Sequence, residues 1–447
     1  MNFETKKTKS PWMPEVPKSW ALMPARYCIE SRQNGNWGET PLVIDDGEFC
    51  LRAADFNYET LGLKSQENFT RRLYSTNDFE KVMVRPGDLL IEKSGGGEKT
   101  PVGRAVLIKS PIRAAFSNFL ERVTIRKDCC VPGFFAYWWT AGYQSSSFVP
   151  FFNQTTGIQN LNTSKLLSHN AIALPGLKEQ QQIVALLDAA TAKIDRAIEL
   201  LQQELEVLEK LKKSIIHEAV TKGLDSTVPM KPSGVEWIGE IPEHWGVNRL
   251  RNLVAFESGA TPSKDNLDFW NGDIPWVSSQ EVKSNVIEAT TYQISQTAVA
   301  SCSTKVLSEG TPILVVRSGV LQHTVPIAVL GRPMAINQDV KALVTKGEIL
   351  PKFLMYFVKG NNENLLKVLV KDKSTVDNVS SEYLKNLMVT LPPTLEQLKV
   401  VQRLDMRCET FDIAIEKKRT QLSLLEQQKT SIVFEYVTGK RRVSEVV

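Results

Sequence analysis

Residues 174 to 221 read LPGLKEQQQIVALLDAATAKIDRAIELLQQELEVLEKLKKSIIHEAVT, and residues 391 to 438 read LPPTLEQLKVVQRLDMRCETFDIAIEKKRTQLSLLEQQKTSIVFEYVT. The two stretches align without a gap at a constant offset of 217. Identical pairs include Leu174/Leu391, Pro175/Pro392, Glu179/Glu396, Gln180/Gln397, Asp188/Asp405, Asp195/Asp412, Ile198/Ile415, Leu208/Leu425, Ser214/Ser431, Ile215/Ile432, Glu218/Glu435 and Thr221/Thr438. A repeat of this length is far beyond chance, and it sets the organisation of the chain before any single element is assigned.

Both copies have the apolar spacing of a long helix. From Leu187, steps of four and three residues reach Thr191, Ile194, Ile198, Leu201, Leu205, Leu208, Lys212 and Ile215. The second copy runs through Leu404, Cys408, Phe411, Ile415, Lys418, Leu422, Leu425, Lys429 and Ile432. This is an interrupted heptad seam. Ile194, Ile198, Leu205, Leu208 and Ile215 are expected to pair with Phe411, Ile415, Leu422, Leu425 and Ile432 in an antiparallel coiled coil. Lysine occupies the same seam position in both copies, Lys212 and Lys429. It either fixes the register between the two helices, at a cost in stability, or marks a solvated, frayed stretch. Each helix follows proline and carries an acid in its early turns, where the positive end of the helix dipole favours it. Each stops near glycine. About 45 residues at about 1.5 Å per residue predict a rod on the order of 65 Å long.

A second repeat precedes each globular stretch. Residues 10 to 20, SPWMPEVPKSW, and 235 to 245, VEWIGEIPEHW, share W-x-x-E-[IV]-P-x-x-W at an offset of 225. Between this motif and the helix the halves correspond more loosely: TTGIQNL (155 to 161) with KSTVDNV (373 to 379), PGFFAYWW (132 to 139) with PKFLMYFV (351 to 358), and PGDLLIEKSGG (86 to 96) with EGTPILVVRSGV (309 to 320). Offsets drift from 225 to 217, so loops differ in length while the order of elements holds. Runs such as VMVRPGDLLIE, GRAVLI, TPILVVRSG, PIAVL and KALVT predict strands, and FFAYWWTA and PKFLMYFVKG predict amphipathic helices. The expected fold class is α+β: two pseudo-symmetric globular domains separated by two long paired helices. The boundaries fall at 1–171 (first domain with its lead-in), 172–230 (central helix), 231–388 (second domain) and 389–447 (C-terminal helix).

The bulk properties agree with this plan and narrow the function. At 447 residues the chain exceeds one ordinary core, and 42% apolar with 23% charged residues is a globular composition. The net charge of +4 permits nucleic-acid binding, which depends more on a local basic face than on the total. No apolar run approaches the ~18 residues needed to cross a bilayer, and the N-terminus lacks a signal peptide's apolar core; a cytoplasmic location without membrane contact is expected. Six cysteines and four histidines show no metal-ligand spacing and read as reduced thiols and scattered imidazoles. Ser94 to Thr100, SGGGEKT, has Glu98 where a phosphate loop needs lysine directly after the last glycine; it reads instead as a flexible loop that touches a partner's backbone. Leu391-Pro392-Pro393-Thr394 lacks both the leading amide or acid and the aromatic of an amino-methyltransferase site. G-x-S-x-G, H-E-x-x-H and G-x-G-x-x-G are absent as well. A catalytic role is not expected.

Two variable domains, each followed by a near-repeat helix and preceded by the Trp motif, resemble the specificity subunit of type I restriction-modification systems. The resemblance covers essentially the whole chain. It is carried by Val235 to Trp245, by Ser258-Gly259-Ala260-Thr261-Pro262 with Trp270-Asn271-Gly272-Asp273-Ile274-Pro275-Trp276, and by Leu174-Pro175 ahead of Glu179-Gln180. The family's G-x-T-P…W-x-G-x-I-P-W signature is clear in the second half and degenerate in the first, at Asn34-Gly35-Asn36-Trp37-Gly38. The resemblance implies two target recognition domains, each reading half of a split double-stranded DNA sequence. It implies a helix pair that sets the gap and docks two modification subunits that methylate adenine, and restriction subunits that translocate and cut DNA. S-adenosylmethionine, ATP and Mg would belong to those partners, with no cofactor or metal in this chain. By position in polar loops, the DNA-contact candidates are Lys93, Ser94, Arg104, Asn153, Gln154 and Thr155, then Ser278, Gln280, Lys283, Arg317, Ser318, Gln322, Lys371, Lys373 and Ser374. Arginine can pair bidentately with guanine and amides with adenine, while Lys and Ser more often hold phosphates. A coiled-coil scaffold that does not read DNA is the alternative.

Overall fold

The computed structural model describes residues 4–43, 46–97, 100–155, 157–302, 304–370 and 378–443. The chain forms two compact units: Met1–Gln203 with Arg419–Val447, and Glu204–Lys418. The two long helices, Leu177–Thr221 and Thr394–Val437, each give one segment to each unit.

In the first unit a four-stranded antiparallel sheet runs in the order Ala105–Leu107, Asp88–Glu92, Leu120–Ile125, Ile29–Asn34. The second unit repeats that order with Ile327–Leu330, Pro312–Val315, Val340–Thr345 and Val254–Ser258, and adds Val286–Ile287 parallel to the first of these. Beside each sheet lies a smaller three-stranded one. Glu48–Leu51 lies between Ala114–Phe116 (parallel) and Thr70–Arg72 (antiparallel). Likewise, Ile274–Val277 lies between Ala335–Ile336 (parallel) and Tyr292–Ile294 (antiparallel). The repeat in sequence is therefore a repeat in topology.

One helix per unit, Pro132–Gln144 and Pro351–Gly360, packs on the larger sheet. Proline at the first turn suits a helix start, because the missing N–H would have had no partner there. The pattern predicts amphipathic helices here; Pro351–Gly360 keeps a polar side through half-buried Lys352 and Lys359, whereas for Pro132–Gln144 the structure corrects this. Phe134 to Trp139 and Phe353 to Val358 are buried without interruption, with the sheet on one side and other elements covering the rest. A helix apolar all round belongs inside a core. The Trp motif supplies part of that cover. Trp12 meets Trp138 at 6.1 Å and Trp20 meets Phe134 at 6.2 Å; Trp237 meets Phe357 at 6.0 Å and Trp245 meets Phe353 at 6.5 Å. The two sets correspond residue for residue.

The identities of the long repeat now have reasons. Gln180 accepts from the Val131 N–H at 2.8 Å and donates to the carbonyls of Cys129 and Pro175; Gln397 does the same to Leu350, Glu348 and Pro392. Asp188 accepts from the Tyr137 hydroxyl at 2.7 Å and Asp405 from Tyr356 at 2.6 Å. Burial, the larger effect, together with the adjacent carboxylate pushes both phenols far above their ordinary range. Thr221 and Thr438 each cap back to the carbonyl four residues earlier. Glu179 pairs with Arg442 at 2.8 Å, and Glu396 takes His244 instead, also at 2.8 Å. Arg442 also lies 6.0 Å from the Trp20 ring, and Phe434 lies 6.3 Å from Trp12, so the start of the chain packs against the end of the second long helix. In the other unit Gly223, at the end of the first long helix, sits against Trp245 and Pro242, as Gly439 sits against Trp20 and Pro17.

The lysines of the seam are paired across it. Lys429 reaches Asp195 at 2.5 Å in the first unit, and Lys212 reaches Asp412 at 2.5 Å in the second. Both partners come from the repeat's own identities, so the two contacts are one contact written twice. Within the second unit, Glu204 with Lys418 and Lys212 with Asp412 ascend one helix while descending the other, which makes the pairing antiparallel. The environments differ: Lys429 and Asp195 are 19% and 18% exposed, Lys212 and Asp412 24% and 57%. Leaving the less exposed carboxylate unpaired should cost more. Lys429→Met is expected to destabilise by about 2–3 kcal/mol and Lys212→Met by about 1 kcal/mol or less, read from denaturation midpoints. Equal losses would show that burial does not set the difference. Ile194, Ile198 and Ile415 are buried, while Leu205, Leu208, Ile215, Phe411, Leu422, Leu425 and Ile432 are half-buried. All six cysteines are free thiols, and no cluster suited to a metal ion occurs among the described residues.

Candidate nucleic-acid interface

In the first unit the strand pairing gathers several candidates. Ser94–Gly95, Ile158–Leu161 and Phe152–Thr155 form a small sheet in which Ser94 and Asn153 both face Asn160 across the ladder. The Ser94 hydroxyl bonds Asn160 Oδ1 at 2.6 Å, and Lys93 Nζ donates to Asn34 at 2.7 Å. Asn153 and Gln154 are exposed on the outer strand; Thr155 ends it, and its side chain is outside the described residues. Arg104 is differently placed. Its guanidinium lies 4.0 Å from the Tyr58 ring and 3.3 Å from buried Glu92. Burial raises the Glu92 carboxyl above its usual range and Arg104 pulls it back, so the two groups are committed to each other. The glycine loop closes locally: Gly96 has φ +64°, and the Gly97 N–H reaches the Thr100 carbonyl at 3.0 Å. Glu98 and Lys99 lie outside the described residues.

In the second unit Ser278, Gln280 and Lys283 sit on the turn after Ile274–Val277, with Gln280 and Lys283 exposed. Arg317 is exposed after strand Pro312–Val315; the Ser318 hydroxyl caps the next turn, on which Gln322 is exposed. These two turns approach each other at one cleft, lined by Lys283 on one side and His323 on the other. Lys371, Lys373 and Ser374 lie outside the described residues.

The signature of the second half is a loop clamp. Trp276 Nε1 donates to the Ala260 carbonyl and Trp270 Nε1 to the Ser263 carbonyl, both at 3.0 Å, and the two rings meet edge-on at 5.1 Å. The Thr261 hydroxyl bonds Gln338. Gly259 lies so close to the Ile336 backbone that a Cβ would stand 1.7 Å from its carbonyl oxygen, and Gly272 approaches Ile294 in the same way. The clamp leaves Lys264, Asp265 and Asn266 exposed on the loop between.

The first half achieves the same closure with a different string. A Cβ on Gly35 would stand 2.1 Å from the Ser117 carbonyl oxygen, and one on Gly47 2.4 Å from that of Arg72. Gly35 and Gly47 precede Gly259 and Gly272 by 224 and 225 residues, so the offset of the Trp motif was the signal that locates them. Trp37 is covered by the Arg72 guanidinium at 4.2 Å, and Arg71 covers Phe49 at 4.3 Å. This arginine pair and Asn160 are not among the candidates read from the sequence, although Arg71-Arg72 is adjacent and basic; Asn34 enters there only within the degenerate signature.

Residues 242–424 match the family described as type I restriction modification DNA specificity domain. Over 96% of its length the chain is 23% identical to a putative type I restriction enzyme specificity subunit, MjaX, of Methanocaldococcus jannaschii, covering 95% of that protein. The chain is similar along nearly its whole length to type I specificity subunits. A 184-residue stretch, 40% of the chain, is 30% identical to the EcoR124I/EcoR124II specificity subunit of Escherichia coli, and this match spans 43% of that protein, under half its length. The fold is shared with a solved chain from the type I R-M system at TM-score 0.69 and 16% identity, covering 94% of this chain and 98% of that one. It is also shared with the HsdS subunit of Thermoanaerobacter tengcongensis at TM-score 0.51 and 15% identity, covering 95% and 98%.

Proposed function

We propose that this chain is the DNA sequence-specificity subunit of a type I restriction-modification complex, each globular module reading one half of a bipartite target. One observation carries the reading beyond family likeness. Central contacts that dock each module on the long helices, those of Gln180/Gln397 and Asp188/Asp405, recur in both units, whereas the solvent-facing loops differ. Repeated docking with divergent loops is what two independent readers of different sequences require. The helix pair sets the unread gap and docks two modification subunits for adenine methylation, with restriction subunits added for cleavage. The chain itself is non-catalytic; S-adenosylmethionine, ATP and Mg belong to the partners. Its location is cytoplasmic, with which the absence of a membrane-length apolar helix among the described residues is compatible.

The test is methylation sequencing of DNA from cells expressing the chain with its modification subunit. A bipartite adenine motif is expected, and replacing residues 21–171 by those of another family member should change one half of it only. A continuous motif, or alteration of both halves, would refute independent readers. The scaffold alternative predicts complex formation without DNA affinity. The proposed function instead predicts an affinity for duplex DNA that falls steeply with salt, by about 0.9 in log K per log unit of salt for each phosphate contacted.

A further inference from the structure

The second unit contains a cleft of about 760 Å³ between the long helix at Lys213 and His217, the turn at Lys283, the segment from His323 to Ile327, and the end of helix Pro351–Gly360. Five basic side chains line it, Lys213, His217, Lys283, His323 and Lys359, against one carboxylate, Glu363. Lys213 lies 3.7 Å from Glu363, His217 bonds Asn361 at 2.9 Å, and the Lys359 amine donates to Asn285. Lys283 and His323 have no side-chain hydrogen bond or ion pair among the described residues. Burial, and next the charge of nearby Lys212, bring the Lys359 amine down to about 8.

These basic side chains are not needed to build the scaffold. The corresponding hollow of the first unit has Thr430 and Phe434 where the second has Lys213 and His217, contains Glu426, and has no Lys, Arg or His in its lining. Thr140 holds the position of Lys359. The same fold is therefore made without the basic set, and three lysines facing one carboxylate leave the cleft with an excess of positive charge that favours an anion. No Phe, Tyr or Trp lines the cleft, and the His217 and His323 imidazoles, the first held by Asn361, are the rings it presents. Ammonium and imidazole donors arriving from several elements suit the oxygens of a phosphate.

We propose that this cleft is a phosphate-binding site, taking either a backbone phosphate of the DNA or the phosphates of a free polyphosphate. The first source rests on the DNA-reading function proposed above; the second does not. Inorganic pyrophosphate is the probe, titrated into the full chain by calorimetry. Two variants accompany it: Lys213→Thr with Lys359→Thr, which installs the residues of the other half, and Lys283→Ala on an exposed turn. Saturable binding by the wild type, weakened tenfold or more in both variants with unchanged circular dichroism, is expected. No binding, or equal binding in the variants, overturns the site. Duplex DNA then separates the sources. If DNA supplies the phosphate, it displaces pyrophosphate, and Lys283→Ala lowers the salt slope of the complex's DNA affinity by about 1. If the ligand is a free polyphosphate, pyrophosphate and DNA bind independently and the slope does not change. Pyrophosphate binding by a chain that shows no DNA affinity would retain the site and remove the DNA-reading function, so the two failures are distinct.

Discussion

Gly259→Ala is expected to be among the most damaging single-methyl additions in this chain, destabilising the second unit by roughly 3 kcal/mol or more. The added carbon would stand 1.7 Å from the Ile336 carbonyl oxygen and 2.4 Å from its carbonyl carbon. Backbone faces backbone here, so no rotamer can relieve the clash. The Ile336 strand cannot retreat cheaply either: it pairs in parallel with Ile274–Val277, and the next residue, Asn337, donates its N–H to the Val277 carbonyl at 2.9 Å. Gly35→Ala should act likewise in the first unit, against Ser117. Gly176→Ala is the control, since its Cβ would meet nothing within 4 Å and its φ is not positive. Urea midpoints and hydrogen exchange, resolved by unit, are the measurements. A Gly259→Ala protein as stable as Gly176→Ala would show that the close approach does not organise the loop.

These glycines also show where the sequence stopped being legible. The long helices, their seam and the α+β class were readable, because helix spacing and β-branched runs are local. The exact ion pairs were readable on one side only: Lys212 and Lys429 stood out on an apolar seam, but their carboxylates lie 200 and 234 residues away along the chain. Strand Ile29–Asn34 was missed because it is mostly polar and exposed, and Val254–Ser258 because its short apolar run, Val254 to Phe256, does not alternate. The helix at Phe134 to Trp139 was read as amphipathic because its periodicity does not reveal that the remaining face is covered by the Trp motif. The clamp of the first half looked degenerate because what the fold retains is a backbone approach needing glycine, not the surrounding letters. The candidate interface was legible by residue type alone. Nothing local distinguishes Arg104, held by Glu92 and Tyr58, from Arg317, which faces solvent.

Gln180→Leu and Gln397→Leu are expected to cost about 3–5 kcal/mol each, and to do so in separate units. Both side chains are fully buried. Leucine nearly matches glutamine in volume, so the effect is one of polarity rather than packing. The substitution leaves one N–H and two carbonyls without their partners: Val131, Cys129 and Pro175 in one unit, Leu350, Glu348 and Pro392 in the other. Each buried orphan costs about 1–3 kcal/mol, and partial relaxation toward solvent brings the sum below simple addition. The amide is also the joint between module and long helix, since it binds the residues that lead into the buried domain helix. Loosening it should release one reading module while the other stays docked. In the methylation assay, Gln180→Leu should then relax one half of the motif and Gln397→Leu the other, with the untouched half still specific. Stability changes below about 1 kcal/mol would remove the amide as the joint. Loss of both halves from either substitution would mean that the modules do not read independently, even though each is docked by its own copy of the same contact.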